Sequence, residues 1–253
     1  MESSNIIHDA AALTNDVAAT CNRSTKLTNI LHSIQALKHD RASLQPLCPS
    51  RVLIRGAALE TVLDQHESIV QALSEYAETN SEETVSKARG LLKQIKGGEF
   101  VLGIVMYLSA INLLENLNKT VQSQSFAISG AVAAMEVTYK GLEGMRTEEA
   151  FHGIFACCII RCEELGVEAP NLPRVRNRPK RYEVGLSANH LRGSGEDYFR
   201  VQYFKFLDTA MIQLKKKYDL HQAGERHCEA CDQLLGGNYC CRPEPRAGWK
   251  HLL

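Results

Sequence analysis

The stretch Phe100–Gln124 reads FVLGIVMYLSAINLLENLNKTVQSQ, and it decides the fold. Its first half, Phe100–Leu114, is apolar on every side of a helix, so other elements must surround it. Its second half keeps only a stripe of apolar residues, with charged and amide residues between them. The stripe consists of Leu113, Leu114, Leu117 and Val121. The pattern predicts a central helix that is buried at one end and half-exposed at the other.

The half-exposed end requires a neighbour of its own. A polar turn at Ser123–Ser125 reverses the chain, and a second helical pattern then runs over Phe126–Leu142. Two helices joined by a short turn pack as antiparallel neighbours. We therefore expect Leu113, Leu117 and Val121 to pack against this second helix.

The apolar run favours a core helix over a membrane span. Phe100–Leu114 would extend about 22 Å at ~1.5 Å per residue, whereas a bilayer core requires about 20 apolar residues. Gly103 and Asn112 weaken the run further. The sequence therefore predicts no membrane partner.

Helical periodicity continues on both sides of the central helix. No segment between residues 56 and 166 alternates with period two for long enough to predict a sheet. The expected fold class is all-α, a multi-helix bundle. The predicted helices occupy residues 8–39 (two helices, with Ser24 or Thr25 as a cap), 58–76, 81–95, 126–142 and 151–165, the last of which stops at Gly166.

The character of the chain changes after Pro170. Five cationic residues fall within eight positions, in a segment rich in Pro and Gly: Arg174, Arg176, Arg178, Lys180 and Arg181. Loops of this length are functional or disordered. The chain is therefore divided into a helical N-terminal segment (1–43), a helical body (44–170), a basic loop (171–195), a packing helix (196–218) and an irregular tail (219–253).

The charge is balanced overall but not along the chain. Residues 171–253 carry 15 Lys/Arg and 9 Asp/Glu, a net charge of +6, and residues 1–170 therefore carry −6. A basic segment that follows an acidic helical body favours contact with a polyanion or a receptor. The basic loop is accordingly a candidate for contact with the DNA backbone or for nuclear import, and a solvated loop is the alternative.

The nine cysteines are an odd number, and three of them lie in one apolar helical pattern, which suits a reduced nuclear or cytosolic protein. Cys158 and Cys162 share a stripe with aromatic residues, so core packing is favoured over a metal site. His66 and His152 are likewise expected to be core or boundary residues.

A zinc site is the alternative for the tail. Its candidate ligands are Cys228, Cys231, Cys240 and Cys241, with His227 nearby. A structural zinc site uses two well-separated ligand pairs. The adjacent Cys240 and Cys241 make a poor second pair, so no cofactor is expected to be required.

Four passages resemble the hAT superfamily of DNA transposases, in particular the transposase-derived chains called zinc finger MYM-type protein 1-like. The passages are LQPLCPSRVLIRGAALETVLDQHESI (44–69), ARGLLKQIKGGEFVLGIVMYLSAINLLENLNKTVQS (88–123), LPRVRNRPKRY (172–182) and EDYFRVQYFKFLDTAMIQLKKKY (196–218). They follow the family's order and cover roughly residues 44–220.

The resemblance implies that these residues correspond to the helical insertion of the family. In hAT transposases that insertion interrupts an RNase H-like sheet domain, which carries three catalytic carboxylates. No such triad is assigned here, because two-metal chemistry needs several carboxylates held together by a rigid scaffold. We therefore expect no catalytic residues.

Arg51 and Arg55 are further candidates for DNA contact. The family has an Arg-Trp pair where this chain has Arg51 and Val52. Val52 offers no aromatic face on which a base could stack, so Arg51 would keep only a charge contact. Pairing of both arginines with the acidic helices around them is the alternative.

The sequence thus predicts a non-catalytic, truncated or domesticated hAT-like protein, which acts as a nuclear module for interaction with DNA or protein. One alternative is the insertion-domain part of an active transposase. Another is a helical protein-binding module with a zinc-binding tail. A protein partner, a homo-oligomer and a cytoplasmic location are all compatible with the residues.

Overall fold

The computed structural model describes residues 5–38, 43–44, 55–79, 83–122, 128–171 and 195–235. Within these residues the chain forms nine helices and no strands, so the all-α prediction is confirmed. The helices are α1 (Ile6–Arg23), α2 (Thr25–Lys38), α3 (Arg55–Asp64), α4 (His66–Thr79), α5 (Glu83–Ile95), α6 (Gly98–Gln122), α7 (Ile128–Met145), α8 (Glu148–Glu164) and α9 (Gly195–Leu235).

The central helix is α6, as its all-round apolarity predicts. It packs against α1, α3, α5, α7 and α8, and most of its first half is completely buried. Its closest crossing is with α1. A Cβ atom on Gly103 would lie 2.5 Å from the Ala10 Cβ and 2.7 Å from the Ile6 carbonyl oxygen. Gly103 therefore allows two helix backbones to approach closely.

The half-exposed end of α6 packs as the sequence predicts at Leu113. A Cβ atom on Gly141 of α7 would lie 2.9 Å from the Leu113 Cδ1, so this leucine rests on the α7 backbone. Leu117 is buried, and Val121 is half-buried against the core. The packing against the antiparallel helix is thus shown at Leu113, and for Leu117 and Val121 it stays a prediction.

Local signals account for several helix ends. The Ser24 hydroxyl accepts a hydrogen bond from the Leu27 N–H at 3.3 Å, which caps α2. α8 ends in a Schellman motif, with Gly166 at φ +63°. There the N–H of Val167 donates to the Cys162 carbonyl and the N–H of Gly166 donates to the Glu163 carbonyl. Residue type predicts both helix ends, with Ser24 as one of two candidate caps beside Thr25.

The prediction of one continuous helix over residues 58–76 is wrong. The structure has two helices, α3 and α4, with a turn at Gln65 between them. The Gln65 side chain accepts a hydrogen bond from the Gln35 amide of α2 at 2.8 Å. The His66 ring bonds the Ile95 carbonyl at the end of α5, also at 2.8 Å. Apolar periodicity does not encode these two polar contacts with different helices.

The end of the last helix is also corrected. The sequence places it near residue 218 and an irregular tail from residue 219, but α9 continues to Leu235. Residues 219–235 lack an apolar period, yet they contain good helix formers such as Leu, Ala, Glu and Gln, and Gly224 is the only glycine among them. Helix propensity summed over such a window favours a helix even where no packing stripe is visible.

The close crossing at Gly103 gives a test of the fold. We expect Gly103→Ala to lower the free energy of unfolding by about 1–3 kcal/mol, because the added methyl group overpacks the contact with α1. The measurement is urea unfolding followed by circular dichroism.

Gly90→Ala in α5 is the matched control. A Cβ atom at Gly90 meets no other atom within 4 Å. This second Gly→Ala change should therefore stabilise the protein by about 0.5–1 kcal/mol through helix propensity alone. Equal effects at the two positions would contradict the packing described for α1 and α6.

Candidate functional site

Most of the predicted DNA-contact residues lie outside the described residues. They are Arg51, Arg174, Arg176, Arg178, Lys180 and Arg181. Arg55 is the first residue of α3, and its side chain is also outside the description. The structure therefore bears on this candidate site through the residues that flank the basic segment 172–194.

The chain that leads into the basic segment is held against the start of α6. The Asn171 N–H donates to the Glu99 Oε1 at 3.1 Å. A Cβ atom on Gly98 would overlap the Glu168 carbonyl oxygen and lie 2.7 Å from the Pro170 nitrogen. Only glycine at position 98 permits this backbone approach, which fixes the point where residues 172–194 begin.

The chain that follows the basic segment is held by the first turns of α9. Phe199 is 1% exposed, and its ring centroid lies 6.4 Å from that of Phe155 in α8. Arg200 forms an ion pair with Glu148 of α8 and a second one, at 3.1 Å, with Asp197. Aromatic burial and ion pairs thus fix the point where the chain rejoins the body.

A groove that the sequence did not predict lies between α3 and α8, with α6 as its floor. Its volume is about 580 Å³. The floor consists of Val105, Leu108, Ser109 and Asn112, which recur at helical spacing along one face of α6. The Ser109 hydroxyl donates to the Met106 carbonyl at 2.7 Å and lies 2.9 Å from the Tyr203 hydroxyl. It is therefore already engaged within the fold.

The two walls of the groove differ in character. The α3 wall presents the exposed carboxylates Glu60 and Asp64, and the α8 wall presents the small residues Gly153 and Cys157. Arg161 of α8 reaches across to Asp64 at 3.8 Å and also pairs with Glu164 at 3.0 Å. The result is a floor of two apolar and two polar residues with an acidic rim. In the sequence, the groove is indicated only by small, uncharged residues on the side of the α8 helical pattern that faces away from the core.

A buried carboxylate supports the start of α3. Glu115 of α6 is 7% exposed and accepts a hydrogen bond from the Gly56 N–H at 2.8 Å. A carboxylate is stabilised at a helix N-terminus by the unpaired N–H groups there. A Cβ atom on Gly56 would lie 3.3 Å from both the Glu115 Oε1 and the Asn112 Oδ1. Glu115 thus positions α3 beside the groove.

The prediction of a buried structural histidine is confirmed at His66. Its side chain is 3% exposed, and its Nε2 bonds the Ile95 carbonyl. Its Nδ1 has no hydrogen-bond partner among the described residues. Burial lowers the pKa of His66 below its usual 6.5, the carbonyl bond opposes this shift, and the nearby Lys96 adds to it. The same prediction is wrong at His152, whose side chain is exposed and pairs with Glu196 of α9.

This lowered pKa of His66 predicts a pH dependence of stability. Below about pH 6.5 the unfolded chain binds a proton at His66 before the folded chain does, so the free energy of unfolding falls as the pH falls. Above that pH both states are neutral, and the contribution of His66 is constant. For one proton the slope is at most about 1.4 kcal/mol per pH unit.

The measurement is urea unfolding from pH 5 to pH 8 for the wild type and His66→Gln. The variant should lack this component of the acid-side slope while keeping the remaining pH dependence. Parallel stability curves for the two proteins would contradict the assignment to His66.

The core prediction for Cys158 and Cys162 is confirmed. Both are buried, and their Sγ atoms lie 3.9 Å apart. Burial raises the pKa of each thiol, and the two sulfur atoms interact. Burial also raises the pKa of Cys21 to about 12. These thiols stay protonated and unreactive at neutral pH, whereas Cys157 is exposed at the groove.

The described residues contain no group of three or more His, Cys, Asp or Glu side chains that could hold a metal ion. Asp9 and Asp16 lie on α1 and Asp64 on α3, and Asp16 pairs with Lys87. Cys228 and Cys231 fall within the helical backbone of α9, but their side chains are outside the description, as are Cys240 and Cys241. Zinc binding by these four residues stays a prediction.

One helix among the described residues, Gly98–Val121, is long and apolar enough to cross a bilayer by length and composition. The run Phe100–Leu114 by itself is too short to span a bilayer, but the whole of α6 is long enough. Two thirds of its most apolar window (67%) is buried inside the protein, as a core helix requires.

Comparison of the chain with protein-family models, with curated proteins and with solved structures finds no match in any of the three.

Proposed function

We propose that the chain is a non-catalytic helical module related to the insertion region of hAT transposases. We propose further that it contacts DNA through the cations of Arg174–Arg181, which lie in the basic segment 172–194. The observation that carries the proposal is the attachment of this segment at both ends. Asn171 is held at Glu99, and α9 is held at Phe155 and Glu148. The chain on either side of the segment is therefore fixed to the helical body.

The charge distribution supports a polyanionic partner. The five cations of the segment fall within eight positions, while residues 1–170 carry a net charge of −6. The acidic body would be repelled by DNA, so the contact would be confined to the basic part of the chain. Phosphate contacts of this kind are independent of base sequence and weaken as salt rises.

The placement of the family-like passages supports the relationship to hAT insertions. The passage over residues 44–69 includes α3 and the start of α4, the passage over residues 88–123 includes α6, and the passage over residues 196–218 lies in α9. Residues of all these helices belong to one hydrophobic core. The passages therefore contribute to a single packed unit.

A role in binding without catalysis fits the chemistry of the chain. The expected DNA contact would use charge alone, because Val52 stands where the family has a tryptophan that could stack on a base. We propose a nuclear location for a protein with such a role. The same basic segment could also be recognised by an import receptor, which would require the same exposed cations.

The DNA contact is tested by a gel shift with duplex DNA at increasing salt. The variant replaces four arginines: Arg174→Gln, Arg176→Gln, Arg178→Gln and Arg181→Gln. We expect its affinity at low salt to fall and its plot of log affinity against log salt to flatten. The slope should change by about 0.9 for each phosphate contact that is lost.

The control variant has the same change in net charge at exposed lysines elsewhere: Lys93→Gln, Lys119→Gln, Lys215→Gln and Lys216→Gln. It should keep the wild-type slope if the basic segment carries the contact. Absence of binding by the wild type at low salt, or equal losses in the two variants, would rule out DNA contact through this segment.

A further inference from the structure

We propose that the groove between α3 and α8 is a docking site for an amphipathic helix of another protein, one that carries lysine or arginine beside its apolar face. This site is separate from the basic segment and does not depend on DNA contact.

The groove exists because the central helix is incompletely covered. Nearly all of α6 from Phe100 to Ile111 is buried by its neighbours, but Val105, Leu108 and Ser109 are only partly buried, and Asn112 is exposed. These four floor residues recur at i, i+3, i+4 and i+7, so they form one continuous strip along the helix. A strip of this kind is the floor on which a partner helix lies in helix-in-groove recognition.

The α8 wall has the shape that a helix requires. Ile154 lines the groove beside three residues of the same helix that recur at i, i+3 and i+7, namely Ala150, Gly153 and Cys157. All three are small, and a Cβ atom added to Gly153 would meet nothing within 4 Å. Small residues along a wall allow the backbone of a second helix to approach to the usual distance of about 8–10 Å between axes.

The charge on the rim selects a basic partner. Glu60 and Asp64 line the α3 wall, and the single cation of the lining, Arg161, is already paired with Asp64 and Glu164. The rim therefore carries more negative than positive charge. Glu60 is exposed on this rim, so a cation on the docked helix would face its carboxylate.

The openness of the groove favours a helix over a small molecule. Small-molecule sites enclose most of the surface of their ligand. Here Glu60, Asp64, Gly153, Cys157 and Arg161 are all exposed, so the groove is open along its length. A helix that lies along it would keep its own polar face in water.

The test uses two synthetic helical peptides of about 14 residues, nearly four turns. Both carry leucines at i, i+4 and i+7, and the residues that flank this face are lysines in one peptide and glutamates in the other. Fluorescence anisotropy with the full chain should give a Kd on the order of 10 µM for the lysine peptide, as expected for a small interface. The glutamate peptide should bind at least about tenfold more weakly.

Two pairs of variants locate the binding. Gly153→Leu should fill the groove and abolish binding of the lysine peptide, whereas Gly144→Leu in α7 should not. Both glycines are exposed helix residues with open space around an added Cβ atom, so both variants should fold. Glu60→Lys should weaken binding about tenfold, whereas the same reversal at the exposed Glu143 should leave the Kd within about twofold.

Three outcomes would overturn the proposal: equal binding of the two peptides, absence of binding by either, or equal effects of Gly153→Leu and Gly144→Leu. The variant with four arginines replaced in the basic segment should bind the lysine peptide like the wild type. Loss of DNA contact in this variant without loss of peptide binding would show that the two sites act independently. Absence of DNA binding by the wild type would remove the proposed function and leave the docking site standing.

Discussion

The burial of α6 is the constraint on which the rest of the structure depends. A helix that is apolar around its whole circumference gains most when every side is removed from water, at about 25 cal/mol per Å². Helices α1, α3, α5, α7 and α8 pack against α6, and α9 contacts it through Tyr203 and Phe206. Close approach to α6 is possible where glycine stands at the contact. Gly103 admits α1, Gly98 admits the chain that follows α8, and Gly141 of α7 admits Leu113. Small residues at these crossings are therefore as necessary as the large apolar ones.

The incompleteness of that burial creates the groove. The helices around α6 cover it where they contact one another. Over Val105 and Leu108, however, α3 and α8 are separated by the groove, and Arg161 reaches Asp64 across it. The polar residues of the groove floor lie at this same gap. Asn112 faces water there, while the nearby Glu115 turns inward to hold the start of α3. A partly apolar strip with an acidic rim is thus a consequence of how the core is assembled.

Features that depend on local chemistry were predictable from the sequence, and features that depend on distant contacts were not. The caps at Ser24 and Gly166 follow from residue type, and the course of α6 follows from composition. The turn at Gln65 depends on a bond to Gln35, thirty residues away. The groove requires knowing which sides of α3 and α8 face each other. Within the proposed DNA site, the sequence predicts only the positive charge of the basic segment. The contacts that hold the residues on either side of it join residues far apart in sequence.

The nature of the attachment at α9 decides how salt should act on the protein. Arg146 pairs with Asp208, and Arg200 pairs with Glu148, but these ion pairs lie at the surface, where such pairs contribute about 0–1 kcal/mol. The larger contribution comes from Phe199, Tyr203 and other buried residues of α9, which are insensitive to screening. Salt that weakens a phosphate contact should therefore leave α9 in place. A loss of polyanion binding at moderate ionic strength would then report the contact itself, since the residues that flank the basic segment would remain fixed.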